Sequence, residues 1–121
     1  MSITPVFTVI QLKHEPGSVT ADLGINRDSE IFNGHFPGQP VVPGACMLQV
    51  VKDTLESVFH YTLRLKSASH LKFITMIDPR IIQSAQLVIT YTTDNGQIAA
   101  VAQLLCGGAA CFKFQGIFGI E

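Results

Sequence analysis

An imidazole set in a stiff segment is the first feature of this chain that could do chemistry. His35 stands in Asn33-Gly34-His35-Phe36-Pro37-Gly38-Gln39-Pro40-Val41-Val42-Pro43-Gly44, where three prolines and three glycines in twelve residues preclude a regular helix or central strand. Such a segment is expected to hold a fixed irregular path. Imidazole titrates near neutral pH without much tuning, so His35 suits a general base. Gly44 ends the segment at the start of a helical pattern. The first N–H groups of a helix point outward and carry about half a positive charge, which suits a developing negative oxygen, and glycine lets a reacting group approach closely. Further along, Gln49 and Asp53 stand one helical turn apart, on a polar stripe with Lys52 and Glu56. Each feature has a plainer alternative. His35 could be a loop residue satisfied by backbone, and Pro43-Gly44 could simply start a helix. The four polar residues could be a solvated face in which Lys52 and Glu56 form an ordinary ion pair.

The elements that must position these residues follow from periodicity. Residues 4–12 and 18–25 alternate loosely around the turn signal Glu15-Pro16-Gly17 and read as two strands. From Gly44 to about His60, Ala45, Met47, Leu48, Val51, Leu55, Val58 and Phe59 fall at helical spacing, and Pro43 suits a first turn. Everything after residue 61 alternates as strand. Asp78-Pro79 breaks the first run, Asp94-Asn95-Gly96 is a hairpin signal, and Gly107-Gly108 marks a further turn. Leu87, Ile89 and Tyr91 share one face of a strand, and Phe112, Phe114 and Phe118 share one face of another. The pattern predicts an α+β fold, with one long helix packed on a curved antiparallel sheet that ends in a meander of about four strands.

Composition narrows the function. The 121 residues suffice for one core and not for two. Eight Lys and Arg against nine Asp and Glu leave a formal charge of −1, without the basic excess of a nucleic-acid binder. Hydrophobic residues make up 47% and charged ones 14%, with a mean hydropathy of +0.35, so an oligomer interface is expected to cover apolar surface that a monomer would leave wet. Cys46, Cys106 and Cys111 form no CxxC and no metal spacing with the four histidines, and fit a reducing compartment. Met1 to Gln11 is too short and mixed for a signal peptide, and no apolar run reaches the roughly 20 residues that cross a bilayer. A cytoplasmic protein that inserts in no membrane is expected.

The run Gly34-His35-Phe36-Pro37-Gly38-Gln39-Pro40-Val41-Val42-Pro43-Gly44 resembles the GHFPxxPxxPG signature of the FabZ/FabA-type 3-hydroxyacyl-(acyl-carrier-protein) dehydratases. Weaker similarity continues to Leu71-Lys72-Phe73 and the strands beyond, so the resemblance spans residues 18–118. It implies a single hotdog domain over residues 1–121, in which a sheet wraps a central helix and protomers pair with the site built across two of them. It implies His35 as the base that takes the proton beside a thioester carbonyl, and the Gly44 N–H as the group that polarises that carbonyl. Phe36, Pro37, Val42, Pro43, Ala45 and Cys46 are then expected beside the acyl substrate. No cofactor is implied.

One position departs from the family. Fourteen residues after the motif histidine the family carries Glu or Asp on the central helix, and here that position is Gln49. An amide can bind the substrate hydroxyl or hold a water but cannot deliver a proton. Losing a general acid costs about 10²–10⁴ in rate. Family members with Glu at this position often carry Gln one turn later, so Gln49 and Asp53 look like that pair exchanged, with Asp53 acting through Gln49 or a water. The implied activity is dehydration of 3-hydroxyacyl thioesters on acyl carrier protein, or on coenzyme A, in a fatty-acid, lipid or polyene pathway. The alternatives are a hotdog thioesterase, with Gln49 orienting an attacking water, and a catalytically silent acyl-thioester-binding subunit.

Arg64, Lys66, His70 and Lys72 share parity along one strand. Such a ladder could dock an acidic carrier protein or its phosphopantetheine phosphate, or could simply protect a sheet edge. His14 and His60 have no partner at catalytic spacing and read as surface or helix-end residues.

Overall fold

The computed structural model describes residues 5–33 and 40–121. Strands β1 (Phe7–Glu15) and β2 (Ser18–Ile25) form a hairpin, followed by a 3₁₀ turn at Glu30–Asn33 and the helix α1 (Gly44–Phe59). Strands β3 (Leu63–Phe73), β4 (Ser84–Asp94), β5 (Gln97–Cys106) and β6 (Ala109–Ile120) complete one antiparallel sheet in the order β1-β2-β4-β5-β6-β3. This curved sheet around one helix is the α+β arrangement that the residue pattern predicts and the hotdog fold that the resemblance implies. α1 buries Met47, Val50, Val51, Thr54 and Leu55. They enter a core that includes Leu23, Leu87, Ile89, Leu104, Phe112, Phe114 and Phe118. The Thr54 hydroxyl, the one polar group on that helix face, donates to the Val50 carbonyl at 2.7 Å.

Two expectations need correction. β1 runs on to Glu15 and not only to Leu12, because its ladder with β2 continues to Glu15↔Ser18. As an edge strand with no buried face, β1 carries no alternation to mark its end. The meander holds three strands and not four. β4, β5 and β6 follow one another, while β3 lies beyond β6 at the opposite edge from β1. The physical reason is in the connections. Asn95 and Gly96 have φ of 50° and 75°, the conformation a tight hairpin needs, so β4 and β5 must be neighbours. Residues 74–83 form a longer path that carries the chain across the sheet. Within it Arg80 donates from its backbone N–H and its side chain to the Asp78 carboxylate, and holds that carboxyl below its usual range.

β3 is exposed along nearly its whole length. Its pairing with β6 is interrupted at Lys66 and again at Ser69, each an extra residue without a counterpart. Two extra residues restore the phase. Arg64, His70 and Lys72 therefore stand opposite Gly119, Gln115 and Lys113, while Leu71 and Phe73 stand opposite the buried Phe114 and Phe112.

Candidate functional site

The helix start is built from backbone alone. Pro43 precedes it in an extended conformation, with φ −63° and ψ 143°, and among the described residues no side chain caps the first turn. The Val42 N–H donates to the Ile77 carbonyl at 2.9 Å, which pins the approach to the helix beneath the 74–83 connection. The Cys46 N–H turns back to the Pro43 carbonyl at 3.0 Å. The Gly44 N–H has no intrahelical acceptor and is available to an incoming oxygen. Glycine is required here by space. A Cβ on Gly44 would lie 2.7 Å from two carbons of the Phe73 ring. That ring in turn stacks on Phe112, with centroids 5.3 Å apart and planes at 29°.

Beside Gly44 opens a cavity of about 470 Å³, lined by Val41, Val42, Pro43, Gly44 and Met47 and walled by Phe73, Ile74, Thr75 and Met76. Its lining is almost wholly apolar, which suits an alkyl chain, and includes Gly44, the first residue of α1. Met76 is 79% exposed and Phe73 52%, so the cavity reaches solvent through apolar residues. Val42, Pro43 and Gly44 of the expected site residues thus share one cavity. Ala45 is exposed, Cys46 is half-buried, and neither belongs to that lining. Burial pushes the Cys46 thiol up, which fits a small helix residue better than a nucleophile. His35, Phe36 and Pro37 lie outside the described residues.

Gln49 and Asp53 meet as their spacing predicts. The Gln49 amide donates from Nε2 to Asp53 Oδ1 at 2.7 Å, and both residues are exposed. Asp53 is the acceptor, so it orients the amide and leaves Gln49 Oε1 able to receive a hydroxyl or water proton. Five residues along an α-helix from Gly44, Gln49 is displaced by about 7.5 Å and turned by about 140°. Within one protomer it therefore does not face the Gly44 cavity. Lys52 and Glu56 form the ion pair expected of them, at 3.7 Å. Glu56 Oε2 also accepts the Leu63 N–H at 2.8 Å, which ties the end of α1 to the start of β3.

The basic ladder divides. Arg64 and Lys66 occupy one end of β3, and the Lys66 stem lies across Gly119. His70 and Lys72 occupy the other end, next to the cavity wall that begins at Phe73. Arg64 and Lys72 stand opposite Gly119 and Lys113, which places them about 20 Å apart along the ladder. Lys113 faces Lys72 across the ladder and adds to this end, a neighbour that only the β3–β6 register reveals. The wall residues Ile74, Thr75 and Met76 likewise carry no motif, and only the path of the connection brings them to Gly44. His14, expected at the surface or a helix end, is exposed and hydrogen-bonds Tyr91 Oη at 2.7 Å, with Phe59 edge-on to the Tyr91 ring at 5.0 Å. That group adjoins the far end of α1, fifteen residues and about 22 Å from Gly44. His60 is the left-handed cap of α1, at φ 61°.

Among the described residues no group of three or more His, Cys, Asp or Glu could hold a metal, and no helix is long and apolar enough to cross a membrane.

Comparison with known proteins gives this geometry a context. A family profile described as ApeI-like (ApeI dehydratase) matches residues 11–108. A 3-hydroxyacyl-[acyl-carrier-protein] dehydratase FabZ from Haemophilus influenzae (strain 86-028NP) is 27% identical over 101 residues, covering 68% of each chain. A FabZ of the same description from Xanthomonas campestris pv. campestris (strain B100) is 25% identical over 122 residues, covering 84% of this chain and 79% of that one. Among solved structures, the dehydratase heterocomplex ApeI:P from Xenorhabdus doucetiae contains a chain that matches with a TM-score of 0.75. It is 17% identical, with 96% of this chain and 98% of that one covered, a likeness of fold.

Proposed function

This chain belongs to the ApeI-like dehydratase family, and on that premise we propose that it dehydrates 3-hydroxyacyl thioesters held on acyl carrier protein. The observation that carries the reading is the start of α1 at Gly44 in the lining of an apolar cavity. An acyl chain lies along Val42, Met47 and Phe73, and the thioester oxygen meets the Gly44 N–H. His35 removes the proton from the carbon next to the carbonyl, and the electron pair moves onto that oxygen, where the helix start stabilises it. As the pair returns, the bond to the 3-hydroxyl breaks, the new double bond forms, and water leaves. Gln49 Oε1, held by Asp53, accepts the hydroxyl's hydrogen bond and fixes its direction. Because Gln49 has no proton to give, the proton that completes the water comes from the imidazolium of His35.

The separation of Gly44 and Gln49 within one protomer supports a homodimer, in which each Gln49 serves the partner's cavity. The exposed β3 edge and the apolar residues around Phe73 and Met76 are the surfaces that pairing would cover. His70, Lys72 and Lys113, at the cavity end of β3, are the better placed docking groups for an acidic carrier, and Arg64 and Lys66 the worse. A reducing cytoplasm and a fatty-acid, lipid or polyene pathway fit the free thiols and the carrier-bound substrate. Hydrolysis of the thioester would use the same cavity with Gln49 orienting a water, but dehydration is what the family membership favours.

The direct test supplies purified protein with 3-hydroxyacyl- and enoyl-carrier substrates and follows hydration, dehydration and free acid. Interconversion of the two thioesters is expected. His35→Ala should lower it by about 10²–10⁴-fold with an unchanged unfolding midpoint. Release of free acid without interconversion would replace the dehydratase by a thioesterase, and binding without either reaction would leave a silent subunit.

A further inference from the structure

Behind the cavity wall two thiols meet. Cys106 is the last residue of β5, and Cys111 is the extra residue of an irregularity near the start of β6, across the Gly107-Gly108 turn. Their Sγ atoms are 2.7 Å apart. A disulfide needs about 2.05 Å, so closing this pair requires less than about 1 Å of sulfur movement.

Cys111 also holds the wall itself. Its carbonyl accepts the Ile74 N–H at 2.9 Å and the Thr75 N–H at 3.3 Å. Both residues line the cavity beside Gly44, and Phe112, the next residue along, carries the stacked Phe73 ring. We propose that Cys106 and Cys111 are a reversible redox pair that closes to an intramolecular disulfide and stiffens the Ile74–Thr75 wall of the cavity. That this wall bounds an acyl chain rests on the dehydratase reading, whereas the disulfide and the stiffening do not.

The oxidant is a low-molecular-weight disulfide. Cys106 is half-buried while Cys111 is 2% exposed, so the first attack comes from Cys106. Its thiolate forms a mixed disulfide and releases one small thiol. Cys111 then displaces the second small thiol from the Cys106 sulfur. The protein loses two protons and two electrons, and the small disulfide is reduced to two thiols. Burial, the hydrogen bond to Cys111 and the neighbouring charge together push the Cys106 thiol up to about 12. The attacking thiolate is therefore scarce at neutral pH, and the pair responds slowly, to sustained oxidation.

The test treats the full chain with excess oxidised glutathione at about pH 8 and about pH 9, followed by acid quenching, alkylation and peptide mapping. A linked Cys106–Cys111 peptide is expected, formed about tenfold faster at the higher pH, with Cys46 alkylated. Amide exchange at Ile74 and Thr75 should slow about threefold or more in the oxidised protein and recover after reduction. Cys106→Ser, with Cys106→Ala as a second variant, should remove both effects. Separate alkylation of both cysteines, or a glutathione adduct that never resolves to the linked peptide, would overturn the redox pair. A linked peptide with unchanged exchange at Ile74 and Thr75 would overturn its hold on the wall. Dehydration absent from both redox forms would instead count against the dehydratase reading alone.

Discussion

The two ends of α1 are finished in opposite ways. At Phe59 the chain turns through the left-handed His60, whose N–H donates to the Glu56 carbonyl at 2.8 Å. Glu56 binds Lys52 and the Leu63 N–H, and Phe59 packs on Tyr91, which itself holds His14. At Gly44 no described residue supplies a capping side chain, the preceding residue is a proline, and the neighbours Phe73, Ile74 and Met76 are large apolar groups left in part to solvent. One end is closed by polar contacts that repeat what a helix terminus needs for stability. The other keeps an N–H unused beside an apolar cavity, and an unused donor is what a developing oxyanion requires. On the proposed reading, the difference separates residues that hold the fold from residues that serve the reaction.

Substitutions at each end can break that separation. Gly44→Ala should have the largest effect. Its Cβ must displace the Phe73 ring from the cavity wall, and dehydration should fall by about 10²-fold, the scale of misplacing a substrate against its catalytic groups. Phe73→Ala in the same chain restores the room and should return part of the rate. Equal losses in the single and double variants would show that the clash is not the cause. Gln49→Glu comes next. A carboxyl at this position adds the proton donor that the amide lacks, and in the proposed homodimer burial beside the partner's acyl chain favours its protonated form, so turnover should rise about tenfold or more. A fall, coupled with damage from Asp53→Asn, would show that Asp53 already supplies the proton and is not a mere holder of the amide. Glu56→Gln should have the smallest effect on turnover. It weakens the tie to the buried Leu63 N–H and removes the ion pair, so stability should drop by about 1–2 kcal/mol in denaturant unfolding while the KM and kcat of the folded protein stay as they were. A large loss of kcat there would contradict the division between the two ends.

The chain's readable parts were those whose cues are local. Pro43-Gly44 marks the helix start to the residue, Gln49 and Asp53 are one turn apart and are found bonded, and Asn95-Gly96 forces a hairpin. Pairings distant along the chain left no such mark. His14 and Tyr91 are 77 residues apart, and neither type or spacing announces their bond. β3 was placed beside β4 because it precedes it, although the ten-residue connection takes β4 to the other side of the sheet. That same crossing delivers Ile74, Thr75 and Met76 to Gly44, so the cavity wall could not be read before the topology was known. The alternation of Arg64, His70 and Lys72 was legible only because two irregularities cancel, and a single one would have turned His70 and Lys72 to the opposite face.

Those two irregularities also determine where this strand can change length over evolutionary time. Lys66 and Ser69 are supernumerary in the β3–β6 ladder, so removing either residue, or adding one beside it, alters a bulge and leaves Phe73 opposite Phe112. The same one-residue change at Leu71 has no slack to absorb it. It would slide every later position past its partner and carry Phe73 to the outer face of the sheet, away from Gly44. Insertions and deletions among descendants of this chain should therefore gather at 66–69 and be absent from 70–73.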